Sequence, residues 1–404
     1  MNHVRLFQRR IMRGLVAATC RVTSPELMRF KSDRSPHDAA SGQRTVKSRP
    51  EPRINEPVLR LPRRLTSLLY RMFWVSLSLV SFGVCASAQP PKNGDVLTSK
   101  PRAPLPPFES LDDFGRNYFS RAVYDEARTQ QNFDVREITY ASDGLPVRGL
   151  LIKPRVPGTR KWPAIIYNRG GTGDFSRITD DGTTPCSRET PSCLTVVDLY
   201  LFAKAGFVVI ASDYRFHGPT AKRDEWGGVD VDDVLNLVPA LKSLDFVDPE
   251  RLYMLGASRG GTMTYIAVKR GIPVKAAAVI AGLSDLEAFG KYRPEFVNGD
   301  ETYDGFAKVW SDYQHRAAEY YQARSAIYWA EQINVPVLIL QSRTDKLVPV
   351  TQSLRIAEAL QENGKVYSLL IYEHDGHSLP LNREDRNHKI IEWFNKFGAK
   401  TDSQ

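Results

Sequence analysis

Cysteine is scarce in this chain of 404 residues: there are four, two of them, Cys20 and Cys85, within the first 88 positions. That excludes a small fold held together by disulfides. No apolar run reaches the roughly 20 residues a membrane-spanning helix needs, since the longest stretch, Met72 to Ala88, falls short. No internal repeat is present, which excludes a solenoid or propeller array. The net charge of +9 is equally uninformative about partners, because it is not spread along the chain. Residues 1–88 hold 16 Lys and Arg against 5 Asp and Glu, leaving 39 against 41 for residues 89–404. The body is nearly neutral, so no nucleic-acid partner is expected. A content of 42% hydrophobic residues is enough to fill a sizeable core.

The first 64 residues are rich in Arg, Ser and Pro without an apolar period, and read as a disordered leader. Arg71 then precedes the apolar run, which ends in Ala86-Ser87-Ala88 before Gln89. A basic segment, an apolar segment and an A-x-A site in series are a secretory signal, spanning about 65–88 with cleavage near Ala88. The location expected is periplasmic or secreted, without stable membrane association after cleavage; the other reading is a membrane anchor through Met72 to Ala88. About 70 residues precede this signal, which a start codon assigned too far upstream would explain. Cleavage leaves Cys186 and Cys193, an even pair in a polar loop, as disulfide candidates in an oxidising compartment.

Residues 89–134 read as a Pro- and Lys-rich linker followed by a helical extension. From Val135 onward, apolar segments of strand length alternate with amphipathic helices to about residue 400. The first two segments, Asp134 to Ala141 and Leu145 to Lys153, are joined at Ser142-Asp143-Gly144, a hairpin turn. Such alternation predicts an α/β fold, a mostly parallel sheet flanked by helices, with its chemistry on loops at the carboxyl ends of strands. A polar, aromatic stretch at about 284–331 interrupts the pattern and reads as a helical cap insertion. It carries Tyr292, Trp310, Tyr313, Tyr320, Tyr321, Tyr328 and Trp329.

Gly256-Ala257-Ser258-Arg259-Gly260-Gly261 follows a strand-like Arg251-Leu252-Tyr253-Met254-Leu255 and precedes a helix. G-x-S-x-G in that setting marks a nucleophilic serine on a sharp turn, where larger side chains would clash with the adjoining strand and helix. No Lys-Ser/Thr pair follows, so a phosphate loop is excluded. A serine hydroxyl needs a base, and the base needs an orienting acid. Asp345 lies past the Val335 to Leu340 strand, with Asp285, also readable as a helix cap, as the other candidate. His377 and His374 lie past the Tyr367 to Tyr372 strand; Gly376 permits the loop to turn at His377, which is preferred. The order Ser258, Asp345, His377 is that of an α/β-hydrolase triad. The oxyanion needs two donors: the amide of Arg259, and that of Gly171 or Gly170 in the turn after Ala164 to Tyr167. Two close histidines without further ligand spacing do not make a zinc site. No metal and no other cofactor is expected.

The chain resembles the catalytic domain of the prolyl oligopeptidase (S9) family of serine peptidases, from about Val135 to Phe397. The blocks that carry the likeness are Tyr167-Asn168-Arg169-Gly170-Gly171, Asp213-Tyr214-Arg215, Gly227 to Val234, Gly256 to Gly261, Arg324 to Trp329, Arg343-Thr344-Asp345 and His374 to His377. The resemblance implies an α/β-hydrolase fold, Ser258 as nucleophile, Asp345 as acid, His377 as base, and Gly170 and Gly171 at the oxyanion. Two departures stand out. The family's usual His-Gly-Gly reads Arg169-Gly170-Gly171 here, and the stretch between Ala88 and Val135 is too short for the β-propeller of the larger members. The expected substrate is therefore a small peptide or an ester. Amide-bond cleavage is favoured, and a carboxylesterase or dienelactone hydrolase-like esterase is the alternative. Reduction of protein exported to the periplasm should free two thiols, measured by thiol titration before and after reductant; two free thiols without it would show Cys186 and Cys193 unpaired.

Overall fold

A computed structural model describes residues 89–155, 159–171, 192–215, 225–299 and 305–398. Residues 1–88, read above as a leader with a signal, and Cys186 lie outside the described residues, and of Cys193 only the backbone, in a helix, is described. Nine strands form one sheet: β1 (Val96–Pro101), β2 (Phe133–Ser142), β3 (Leu145–Pro154), β4 (Trp162–Asn168), β5 (Val208–Ser212), β6 (Val247–Ala257), β7 (Ala276–Ile280), β8 (Val337–Ser342) and β9 (Tyr367–Tyr372). Their order is β1-β2-β3-β5-β4-β6-β7-β8-β9. The pairings from β1 to β5 are antiparallel, and those from β5 through β9 are parallel.

Residue type explains which strands lie inside. Val208-Val209-Ile210-Ala211-Ser212 and Ala276-Ala277-Ala278-Val279-Ile280 are buried throughout, the unbroken apolar run of a parallel strand covered on both faces. Alternate residues go to opposite sides. Ile166, Ile210, Met254, Val279 and Ile339 join one apolar layer, and Ile165, Val209, Leu255, Ile280 and Leu340 the other. The first layer is closed by helices Asp230–Leu235, Leu237–Lys242, Arg259–Lys269 and Thr351–Glu362, and the second by Arg121–Thr129, Ser192–Lys204 and Arg383–Gly398.

Two boundaries differ from the sequence reading. The stretch read as a linker contributes β1, whose six residues are all exposed and pair only with β2. An edge strand that buries nothing has no hydrophobic alternation to betray it. The helical extension is also part of the domain: Leu105, Leu111, Phe119, Tyr124 and Ala127 lie in the second apolar layer. The cap is shorter than expected. Leu286, Phe289, Phe306, Trp310 and Tyr321 form a separate apolar cluster with Trp226 and Val348, whereas Ala326, Trp329 and Ala330 pack into the main core. The insertion therefore ends near Arg324, not Glu331. Among the described residues no helix is long and apolar enough to cross a membrane.

The chain order reverses at β4, which has β5 on one side and β6 on the other. That reversal opens a crevice at the carboxyl ends of β4 and β6, where open α/β sheets bind ligands. The two ends are in register, Asn168 opposite Gly256. A Cβ placed on Gly260 would fall 1.9 Å from the Asn168 carbonyl oxygen. Gly260→Ala should therefore destabilise by about 1–3 kcal/mol or more, measured by urea denaturation; an unchanged midpoint would show that the turns can separate without loss.

Candidate active site

Ser258 occupies the one-residue turn between β6 and the helix Arg259–Lys269, with φ 56° and ψ −124°. A left-handed conformation at a non-glycine residue costs on the order of 1–3 kcal/mol and must be enforced by its surroundings. The amide of Ser258 donates to Ile280 O at 2.9 Å and its carbonyl accepts from Gly261 N at 2.8 Å, anchoring both sides of the turn. The next turn of the helix is tied to β4, where Asn168 Nδ2 donates to Thr264 Oγ1 at 2.9 Å. The helix begins at Arg259, so the positive end of its dipole lies at the serine.

Asp345 and His377 come from the loops after β8 and β9 and meet. His377 Nδ1 lies 2.8 Å from Asp345 Oδ2, with the Asp345 side chain fully buried and His377 22% exposed. The other carboxylate oxygen, Oδ1, accepts from Leu347 N at 2.8 Å and Val348 N at 3.0 Å. Gln341 Nε2 adds a contact of 3.2 Å to Oδ2. Burial opposes ionisation of Asp345, but the hydrogen bond and charge of His377 and the two amides outweigh it, holding the carboxyl below its ordinary range.

The competing candidates separate from this pair. His374 is 71% exposed and lies 3.4 Å from Glu373, away from Asp345. Asp285 caps the helix Leu286–Tyr292 by accepting from Ala288 N at 2.9 Å, and pairs with Arg355. Among the described residues no cluster of His, Cys, Asp or Glu is arranged to hold a metal ion.

The loop that carries His377 also holds a carboxylate, Asp375, whose structural role the sequence did not show. Asp375 is buried and accepts from Gly376 N at 2.7 Å, Leu381 N at 3.1 Å, Asn382 N at 2.9 Å and Asn382 Nδ2 at 2.8 Å. Its carbonyl accepts from Ser342 Oγ at 2.7 Å and Thr344 Oγ1 at 2.9 Å, joining the His377 loop to the Asp345 loop. It orients the turn on which His377 stands, and its place between two histidines in sequence hid that role. Ser378 and Leu379, just beyond, have φ of 66° and 60°, so the loop is held in a conformation the chain alone disfavours.

On the other side of Ser258 lies the turn after β4. A Cβ on Gly170 would fall 3.0 Å from Ser258 Cβ and 3.7 Å from its Oγ, so the glycine backbone packs directly beside the serine side chain. Gly171 follows with φ +61° and is exposed. Beneath it the Arg259 side chain, 1% exposed, pairs with the buried Asp230 at 2.7 Å.

The comparisons with known proteins follow this geometry. The model of the prolyl oligopeptidase family matches residues 195–400, a span that takes in Ser258, Asp345 and His377. The chain belongs to the prolyl oligopeptidase family. Two uncharacterized peptidases of Bacillus subtilis are similar to it: YuxL, 27% identical over 64% of this chain and 38% of the relative, and YtmA, 26% identical over 65% and 94%. Among solved structures, an acylaminoacyl peptidase of Pyrococcus horikoshii matches at 21% identity with a TM-score of 0.54, over 68% of this chain and 43% of that one. A puromycin-hydrolyzing peptidase of Mycobacterium tuberculosis matches at 23% identity and 0.51, over 65% and 39%. These structures share the α/β-hydrolase fold with the chain. The chain thus spans well under half of YuxL and of both structural neighbours, and nearly all of YtmA.

Because Asp345 is more acidic folded than unfolded, it contributes stability above the ordinary carboxylate value, and that stability is lost as pH falls through its folded value. Asp345→Asn should flatten the acid limb of the stability profile and lower kcat by about 10⁴-fold, as in other serine triads. An activity loss below tenfold would remove Asp345 from the site.

Proposed function

We propose that this chain is an exported serine peptidase that cleaves amide bonds in small peptides through an acyl-enzyme. The observation that carries the reading is the hydrogen bond between His377 Nδ1 and the buried Asp345. With Nδ1 committed to the carboxylate, Nε2 is the ring nitrogen left to take up a proton. Ser258 Oγ attacks the scissile carbonyl carbon and its proton passes to His377 Nε2. The resulting oxyanion is held by the amides of Arg259 and Gly171. Collapse breaks the C–N bond as His377 returns the proton to the leaving amine, and water, activated by the same base, releases the acid from Ser258. Asp345 holds the imidazole in the tautomer this requires and stabilises the imidazolium.

Family membership and the name peptidase borne by the two Bacillus relatives support amide rather than ester chemistry. Export is supported by the basic segment, apolar segment and Ala86-Ser87-Ala88 in series.

On purified residues 89–404, aminoacyl and dipeptidyl p-nitroanilides are to be compared with p-nitrophenyl esters, using Ser258→Ala as the blank. Ser258-dependent anilide cleavage is expected, with kcat falling about 10⁶-fold in the alanine variant. Ester turnover across a broad panel with no anilide cleaved would favour the carboxylesterase reading, and activity of Ser258→Ala within tenfold of wild type would sink both.

A further inference from the structure

The oxyanion turn contains a feature that the triad does not explain. Arg169 is 3% exposed and stands beside Gly170 and Gly171 at the end of β4. Its Nη1 donates to Gly171 O at 2.9 Å and lies 3.3 Å from Gly170 O, while its Nη2 donates to Asp213 O at 2.9 Å. Arg259 reaches the same carbonyl from the nucleophile's side, its Nη1 donating to Gly171 O at 2.9 Å while Nη2 pairs with Asp230. The two guanidinium groups are held against aromatic faces: Arg169 lies 4.7 Å and Arg259 4.9 Å from the Tyr214 ring centre, and Arg259 lies 5.2 Å from that of Trp226. Two buried cations thus converge on carbonyl oxygens of one exposed two-glycine turn.

A peptide plane between two glycines rotates more freely than any other, because neither flanking residue carries a Cβ to oppose it. In a trans peptide the carbonyl and the amide N–H point in opposite directions. Rotation of the Gly170–Gly171 plane by half a turn would exchange them, presenting a carbonyl oxygen where the developing oxyanion needs a donor. Gly170 O belongs to that plane and Gly171 O to the peptide unit after it, so the Arg169 guanidinium, which reaches both, fixes the sense of the first plane, while Arg259 anchors the carbonyl that follows. We propose that Arg169 is a positioning residue that holds the Gly170–Gly171 peptide with its N–H toward the oxyanion, and that Arg259, bound to the carbonyl of the next peptide unit, steadies the turn from the nucleophile's side. The inference rests on Ser258 acting as nucleophile with Gly171 as a donor. It gives a role to the Arg that stands where the family has His, and it makes Arg259 serve twice, by its own amide and through its side chain.

The test uses a fluorophosphonate, whose phosphonyl oxygen occupies the oxyanion position during attack by the serine, on purified residues 89–404. Wild type should label at Ser258, and Ser258→Ala should not. Arg169→Gln, which cannot span both glycine carbonyls and Asp213 O, should lower the limiting labelling rate by about 10²-fold, the scale of a lost or misplaced oxyanion donor. Arg169→Lys, a point cation without the fork, should fall between the two. The double variant Arg259→Gln/Asp230→Asn, which removes the buried charge together with its partner, should lower the rate by less than Arg169→Gln, because Arg259 holds only the carbonyl that follows the plane. Thermal melting identifies any variant that has not folded, and the pH midpoint of labelling separates the two possible faults. If the arginines act on the donor turn, the limiting rate falls and the midpoint stays; if they merely support the triad, the midpoint moves, and the proposal fails. A folded Arg169→Gln variant that labels within threefold of wild type also overturns it while leaving the nucleophile assignment intact. Failure of wild type to label at all would overturn that assignment and this inference with it.

Discussion

Between the turn after β4 and the turn after β6 there is no space for a side chain. The Asn168 carbonyl would lie 1.9 Å from a Cβ on Gly260, and Ser258 Cβ 3.0 Å from one on Gly170. Everything at this end of the sheet depends on that approach. It sets the serine hydroxyl beside a glycine backbone and brings the start of the helix Arg259–Lys269 against the end of β4. It also lets a side chain from the helix, Arg259, reach the carbonyl of Gly171. The register of β4 with β6 makes the approach possible, and the glycines make it tolerable. The left-handed backbone of Ser258 is a local cost that neighbouring strands, paired on both sides of β6, are rigid enough to impose.

Three buried carboxylates then fix the groups around this contact, each neutralised differently. Asp230 is matched by the guanidinium of Arg259, and Asp345 by His377 together with two amides and Gln341. Asp375 is satisfied by the amides of its own loop and by Asn382. A buried charge costs several kcal/mol unless it is paired or hydrogen-bonded, so each of these arrangements is rigid: leaving it means exposing an unsatisfied ion to a medium of low polarity. The site borrows its order from that penalty. Loops that would otherwise be loose, such as the one carrying His377, are held by donors converging on a carboxylate that takes no part in the chemistry.

Much of this was legible in the sequence because it rests on short-range rules. The parallel strands announced themselves as apolar runs such as Val208 to Ala211. Ser258 was marked by the glycines its turn requires, and Asp345 and His377 by their places after strands. What stayed hidden rests on contacts distant in sequence or on surfaces that bury nothing. β1 has six exposed residues and no period to detect. The end of the cap near Arg324 is set by which side chains reach the core, and Trp329 looks in sequence like Trp310 although the two belong to different apolar clusters. Asp375 stood in sequence only as the neighbour of two histidines, since its worth lies in amides up to seven positions away.

The arginine in the turn after β4 shows what a buried cation at that position requires. A guanidinium at position 169 needs a buried place, acceptors for its fork and a neighbour that tolerates its charge. Tyr214 supplies a face, the carbonyls of Gly171 and Asp213 supply acceptors, and Asp230 offsets the second cation on Arg259. These partners come from the ends of β4 and β5, the helix Asp230–Leu235 and the nucleophile helix. A lone change at residue 169 would leave a buried cation with nothing to hold it. The blocks Tyr167 to Gly171, Asp213 to Arg215, Gly227 to Val234 and Gly256 to Gly261, separate in sequence, are therefore one physical unit, the surroundings of a two-glycine turn beside Ser258.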